Sequence, residues 1–252
     1  MKSLVAAFSL SFVMLCAQPA ISATEEDPWE GFNRAMFSFN DGLDSVFLKP
    51  VAEGYKAITP TPVQKGVSNV FSNLGEIGNF SNNLLQGKWD ATASSFFRFV
   101  INSTAGWFGI FDVASELGLK RYEEDFGQTL GYWGVGSGPY LVLPFLGPST
   151  VRDTGGLAVD YSNYDVTDDV GLNHDERWAM RGLDVVETRA RLLAVEGLVF
   201  GDRYSFVRDV YLQTRINDVY DGQPPQSAND TGAGDSWGDD SWGDDDWDDE
   251  EF

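Results

Sequence analysis

Residues 27–44, DPWEGFNRAMFSFNDGLD, carry the strongest local signal in the chain. Asp27 is placed to cap a helix, Pro28 takes the first helical position and Glu30 follows three residues after the cap, a pattern that satisfies the orphan amides of a helix start. Trp29, Phe32, Met36, Phe39 and Leu43 then fall at steps of 3, 4, 3 and 4, aligning five large apolar groups in one stripe. Such a stripe either packs into a core or lies in a membrane interface.

Helix signals recur downstream. A second helix is predicted from Thr61-Pro62, with Val63, Val67, Val70 and Leu74 on one face, and a third from Glu76 towards Leu85, ended by Gly87. Trp89 to Ala105 predicts a fourth. The stretch from Asp175 to Val199 is helical in pattern, with Glu187 and Arg191 four apart, and Tyr204 to Tyr220 forms a last amphipathic segment. Residues 96–114, FFRFVINSTAGWFGIFDVA, are aromatic-rich but too polar for a span facing lipid on every side, and they read as a helix kinked near Gly106. Strand-like alternation is scarce and no linker divides residues 27–220, so one all-α domain is expected.

Composition narrows the chemistry. The 252 residues hold 17 Lys and Arg against 39 Asp and Glu, a formal net charge of −22. That balance repels phosphate backbones, and no basic cluster offsets it, so nucleic acid is not an expected partner. Lone Cys16 and lone His174 leave no internal disulfide, no His-rich zinc site and no Cys/His dyad, and neither a metal nor a cofactor is expected. His174, in NHDERW, reads as a surface or helix-capping residue.

The first 23 residues read as an export signal: Lys2 is basic, Leu4 to Leu15 make a largely apolar run of 12, and AQPAISA closes it with small residues. The run is too short to span a bilayer. Cleavage after Ser22 or Ala23 is one reading; the other is lipoprotein processing, with Cys16 as an acylated first residue behind the bulky Leu15. Either route leads out of the cytoplasm to a bacterial periplasm or envelope. At the far end, residues 221–252 contain 12 acids and no base, and the repeat SWGDD-SWGDD-DWDDE over residues 236–250 sets Trp237, Trp242 and Trp247 among them. Like charge and little apolar surface predict an extended, disordered tail, whose spaced tryptophans are candidate partner contacts.

Residues 123–153, EEDFGQTLGYWGVGSGPYLVLPFLGPSTVRD, are dense in glycine and proline and forbid one long helix. Gly134-Val-Gly-Ser-Gly138 lacks the glycine spacing, following helix and lysine of a nucleotide loop. Ser137 lacks the flanking glycines of a nucleophile elbow. The block reads as a shaped loop.

Four ordered segments, DPWEGFNRAMFSFND, KPVAEGYKAITPTPVQKGVSNVFSNLGEIGNFSNNLLQGK, FRFVINSTAGWFGIFDVAS and EDFGQTLGYWGVGSGPYLVLPFLGPSTVRD, make the chain resemble the MlaA/VacJ family of outer-membrane phospholipid-trafficking proteins over roughly residues 27–215. The resemblance implies an all-α ring seated in the inner leaflet of the Gram-negative outer membrane, on its periplasmic side, with a central polar channel. It implies a non-enzymatic role: phospholipids misplaced in the outer leaflet are collected and passed to a periplasmic lipid carrier resembling MlaC, preserving lipid asymmetry. Trimeric porins are implied partners, and a lipid anchor on Cys16 is the family habit.

On that footing residues 24–220 form the helical domain. The membrane-facing candidates are Trp29, Phe32, Met36, Phe39 and Leu43, and the channel candidates are Tyr132, Gly134, Gly136, Ser137, Gly138, Tyr140, Arg152 and Asp153. The tail would offer Trp237, Trp242 and Trp247 to the carrier. The alternative is a structural envelope protein that sits with porins and moves no lipid. A lipid hydrolase is disfavoured because no nucleophile, base and orienting acid assemble at readable spacing.

Overall fold

The computed structural model describes residues 27–163, 173–194, 196–198 and 201–224. Cys16, the export signal and the tail tryptophans Trp237, Trp242 and Trp247 lie outside these residues.

The first helix, α1 (Glu30–Leu43), forms where the stripe predicts it, but Asp27 does not cap it. Trp29 holds the N-cap position, while Asp27 is fully buried and its carboxylate accepts hydrogen bonds from Asn33 Nδ2 at 2.7 Å and from the Tyr204 hydroxyl. The Arg208 guanidinium lies 3.7 Å away. A carboxylate with these partners ties residues 204–208 to the start of α1. The apolar stripe then divides: Met36 packs on the core, Phe32 and Leu43 are half-buried, and Trp29 and Phe39 stand exposed.

Helical backbone continues through a π-turn (Asp44–Leu48) into α2 (Lys49–Ile58), a stretch that the apolar periodicity does not mark. Pro50 has no N–H to donate at this junction, and the Lys49 amide reaches back five residues to the Asp44 carbonyl, which widens the turn. The helices expected over 61–74 and 76–85 are one, α3 (Thr61–Leu85), because Gly75 and Gly78 lower helix propensity without removing a hydrogen bond. Gly87, at φ +73°, supplies the left-handed residue that ends it.

Helix α4 (Trp89–Thr104) returns along α3. Past it the chain doubles back instead of kinking and continuing: a Cβ on Gly106 would lie 2.2 Å from the Phe111 carbonyl oxygen, so only glycine fits. Trp107 and Phe108 form the tip with φ of 56° and 58°. The short α5 (Val113–Glu116) follows, capped by Asp112.

The glycine-rich block contains more order than a loop. It holds α6 (Phe126–Tyr132), then strands β1 (Tyr140–Leu143) and β2 (Gly147–Thr150), then α7 (Val151–Asn163). The strands pair antiparallel, Tyr140 opposite Thr150 and Leu143 opposite Gly147, so the all-α expectation becomes a mostly helical fold with one hairpin. Pro139, Pro144 and a left-handed Gly147 exclude helix there, and the free edge of β1 finds its hydrogen bonds on α1. Asn33 Nδ2 donates to the Tyr140 carbonyl at 3.0 Å and Asn33 Oδ1 accepts from the Val142 amide at 2.9 Å. Asn40, two turns on, does the same for Leu143 and Phe145 at 2.9 and 2.8 Å. Two side-chain amides thus stand in for a neighbouring strand.

Helix α8 (His174–Leu192) opens with an Asn173/Glu176 capping box, and the expected Glu187–Arg191 pair is present at 3.1 Å. A 3-10 turn (Glu196–Leu198) precedes α9 (Arg203–Val219). The apolar core is small: Tyr140, Val142 and Tyr204, with Met36, Phe37, Tyr211 and Leu212 packed against it. Among the described residues, no helix is long and apolar enough to cross a membrane.

Candidate functional site

The distribution of polarity is inverted. Among the described residues twenty buried side chains are polar or charged and only eight are apolar, whereas Phe108 and Phe145 are 80% and 77% exposed and Trp89, Trp107, Phe47 and Phe97 are each more than half exposed. Soluble monomers seldom show so much aromatic surface, and an exterior of this kind suits lipid contact.

The polar interior has a spine. Asn73, Glu76, Asn79, Asn82 and Asn83 line one face of α3, Gln86 follows at its end, and Ser94, Ser95, Arg98 and Asn102 of α4 face them. Steps of three and four place them on one side of each helix. Arg98 sits at the centre. Its Nε donates to Glu76 at 2.8 Å, Nη1 donates to Ser115 Oγ and to the Leu119 carbonyl, and Nη2 reaches both Asp112 oxygens at 3.1 Å. Burial pushes the Asp112 carboxyl up, but hydrogen bonds from Ser115, Asn102 and Arg98 outweigh it and hold the group at about 2. A guanidinium divided between two carboxylates stays charged although water is excluded.

Towards the glycine-rich block the spine ends in a second cluster. Gln86 Nε2 donates to Glu124 and Thr129, the Thr129 hydroxyl donates to Asn82, and Lys88 Nζ donates to Glu124 at 2.9 Å. Burial pushes Glu124 up against the opposing pull of Lys88 and Gln86. Asn73 Oδ1, Asn83 Oδ1, Gln86 Oε1 and Ser95 Oγ are buried yet accept or donate no hydrogen bond within the protein.

The structure divides the residues that the sequence groups as channel candidates. Tyr132, the last residue of α6, and Gly134, Gly136, Ser137 and Gly138 beyond it lie on one exposed run, with the Lys88 ammonium 5.4 Å from the Tyr132 ring centre. Tyr140 is in the core, fully buried, and burial raises its hydroxyl well above the ordinary range. Arg152 and Asp153 belong to a buried charge cluster instead. Arg215 donates to Asp125 at 2.6 Å and to Asp153 at 2.9 Å, Tyr211 donates to Asp153 at 2.9 Å, and Arg152 lies 2.8 Å from Asp153. Burial alone would push Asp153 up, but Arg215 and Arg152 draw it down to about 2. This cluster fastens α9 to α6 and α7. Only glycine permits the crossing, since a Cβ on Gly156 would come 2.4 Å from the Gly127 nitrogen.

The α3 and α4 polar face is absent from the residues singled out in the sequence. Its signal is the recurrence of Asn73, Glu76, Asn79 and Asn83 opposite Val67, Val70 and Leu74, a polar stripe of helical period that reads as a solvated face until its partner helix is known. His174 starts α8 and is exposed, accepting from the Trp178 indole at 2.9 Å.

A family model described as MlaA lipoprotein matches residues 25–218. The intermembrane phospholipid transport system lipoprotein MlaA of Escherichia coli strain K12 is 38% identical over 231 residues, covering 84% of this chain and 87% of that one. Its namesake in Haemophilus influenzae is 34% identical over 203 residues, covering 76% and 80%. A solved structure described as the structural basis for maintenance of bacterial outer membrane lipid asymmetry aligns with a TM-score of 0.66 at 38% identity, covering 77% of this chain and 98% of that one.

Proposed function

This chain belongs to the MlaA lipoprotein family, and from that premise we propose a path for lipid through its polar interior. The protein is a component of intermembrane phospholipid transport, acts in maintaining outer-membrane lipid asymmetry and works in the bacterial envelope. Phospholipid is its cargo.

The aromatic exterior rests among acyl chains of the inner leaflet of the outer membrane, on the periplasmic side. The helices surround a polar passage, and a phospholipid drawn from the outer leaflet passes with its head group against the α3 and α4 face while its tails stay with the apolar exterior. The run from Tyr132 to Gly138 forms the lip of that passage, and a soluble periplasmic carrier receives the lipid there. Porin trimers hold the protein at the right depth. The observation that carries this reading is the inversion: charge and amide inside, aromatic rings outside. An amphiphile crossing half a bilayer needs a wall that replaces water for its phosphate without presenting oil to it.

The test is chemical capture in cells. A photocrosslinking residue at position 132 or 137 is expected to trap phospholipid, and loss of the gene to raise outer-leaflet phospholipid and detergent sensitivity. Trapping confined to outer-face positions such as 29 and 39, with unchanged surface lipid in the deletion, favours the structural envelope protein that moves nothing.

A further inference from the structure

Between the π-turn and α8 runs an apolar groove of about 430 Å³. Phe47, Leu48 and Val51 form one wall and Val185 and Val186 the other, with the Trp178 ring at one end. Phe47, Val51, Trp178 and Val185 are each more than half exposed. The π-turn helps to make the groove, because its extra residue displaces Phe47 and Leu48 from the regular helical positions, and such turns concentrate at binding sites.

Gly182 lies among the lining residues, inside α8. A glycine within a helix weakens it relative to alanine. Here no close approach requires one, since a Cβ at this position would meet nothing within 4 Å. The absent side chain leaves room where this residue lines the groove. The Trp178 N–H is taken up by His174 Nε2, so its ring offers the groove carbon rather than a donor. The Arg181 guanidinium lies 5.6 Å from the Trp178 ring centre and 6.0 Å from that of Tyr161, so its stem and the Trp178 ring close this end of the groove.

We propose that this groove is a binding site for one acyl chain of a membrane phospholipid. The proposal rests on the lipid-transport reading above but concerns a different place: a lipid held against the outside of the protein, not cargo in the polar interior. An aliphatic chain is the occupant that asks no hydrogen bond of walls that offer none, whereas a peptide would bring backbone amides needing partners. The groove also continues the exposed apolar face of the α1 to α2 run, where Phe39, Val46 and Ile58 stand free, so a chain enters sideways from the leaflet.

The experiment uses the full-length protein in vesicles of phosphatidylethanolamine and phosphatidylglycerol doped with a phosphatidylethanolamine bearing a diazirine near the end of one acyl chain. After irradiation, labelled peptides are mapped by mass spectrometry. Labelling is expected to concentrate on residues 44–51 and 178–186 above its level at the exposed Phe108. Gly182→Leu, which places a branched side chain where the acyl chain would lie, is expected to reduce groove labelling about tenfold and leave Phe108 unaltered. Gly182→Ala gives a smaller reduction with a thermal midpoint no lower than the parent, so a folding failure of the larger variant does not hide the answer. Groove labelling no stronger than at Phe108, or unchanged in Gly182→Ala and Gly182→Leu, overturns the proposal. Transport is read separately, from outer-leaflet phospholipid in cells, so the failure of either reading is seen without the other.

Discussion

Arg98 and Glu76 form an ion pair at 2.8 Å with side chains only 2% and 1% exposed. Removing Arg98 leaves the buried Glu76 carboxylate with the Arg121 guanidinium, 3.7 Å away, in place of a direct ion pair. Arg98→Met is expected to cost about 3–5 kcal/mol in denaturant unfolding, and Glu76→Leu added to it to recover a substantial part, because the doubly apolar seam contains no stranded carboxylate at position 76. A double variant as unstable as the single one contradicts this.

Asn33 is fully buried, and its amide joins Asp27 to both neighbours of Leu141 on β1, whereas the Asn40 side chain works at a half-buried site. Asn33→Leu leaves several buried groups unpaired and is expected to destabilise by about 3 kcal/mol, Asn40→Leu by about 1 kcal/mol. Thermal unfolding of the two variants side by side checks the order.

Asp153 titrates at about 2 in the folded protein, below its ordinary value of 3.8. A carboxyl depressed by folding adds stability that is complete above the unfolded value and fades as pH falls through the folded one. Stability is therefore expected to decline between about pH 4 and pH 2. Asp153→Asn, already weakened at pH 7, is expected to show a flatter decline, which unfolding midpoints at stepped pH measure.

Gly155 and Gly156 are neighbours with opposite requirements. A Cβ on Gly156 would meet the Gly127 nitrogen at 2.4 Å and its Cα at 2.6 Å, while one on Gly155 would meet nothing within 4 Å. Gly156→Ala is expected to cost about 1–3 kcal/mol or more, and Gly155→Ala to stabilise α7 by up to about 1 kcal/mol. Equal effects on the melting temperature would show that the α6–α7 crossing is not tight.

Trp107 stands 67% exposed at the tip beyond α4. With the protein in vesicles, phospholipids brominated on the acyl chain are expected to quench its fluorescence, and Trp107→Phe to remove that share of the quenching. Quenching by aqueous acrylamide in its place would put this tip in water.

Helix existence was legible where period and punctuation agree: Pro62 opens α3 and Gly87 closes it, whereas Pro28, expected at the first helical position of α1, lies ahead of the N-cap Trp29. The α2 segment was not legible, since Lys49-Pro50 resembles an interruption, whereas helical backbone runs through it behind the π-turn at Asp44–Leu48, where Arg189 of α8 pairs with Asp44 at 2.7 Å. The β-hairpin escaped because β1 is four residues long and depends on amides from a helix about a hundred positions earlier. Glycines marked the tight places but not their purpose: Gly127 and Gly156 let helices cross, whereas Gly134 and Gly136 lie on an exposed run with nothing close to a Cβ. Arg152 and Asp153 looked alike in sequence to residues lining a passage, and only Arg215, from the far end of the chain, assigns them to a structural cluster.

The rings displayed by Phe47, Trp89, Trp107, Phe108 and Phe145 also constrain biogenesis. An exported polypeptide travels through an aqueous compartment, and a finished surface of this sort would clump on the way at roughly 25 cal/mol gained for each Å² of contact. Maturation and delivery are therefore coupled: the chain either journeys sheathed by an escort or completes its shape on arrival, and overproduction that outruns the escort should yield precipitate rather than surplus protein.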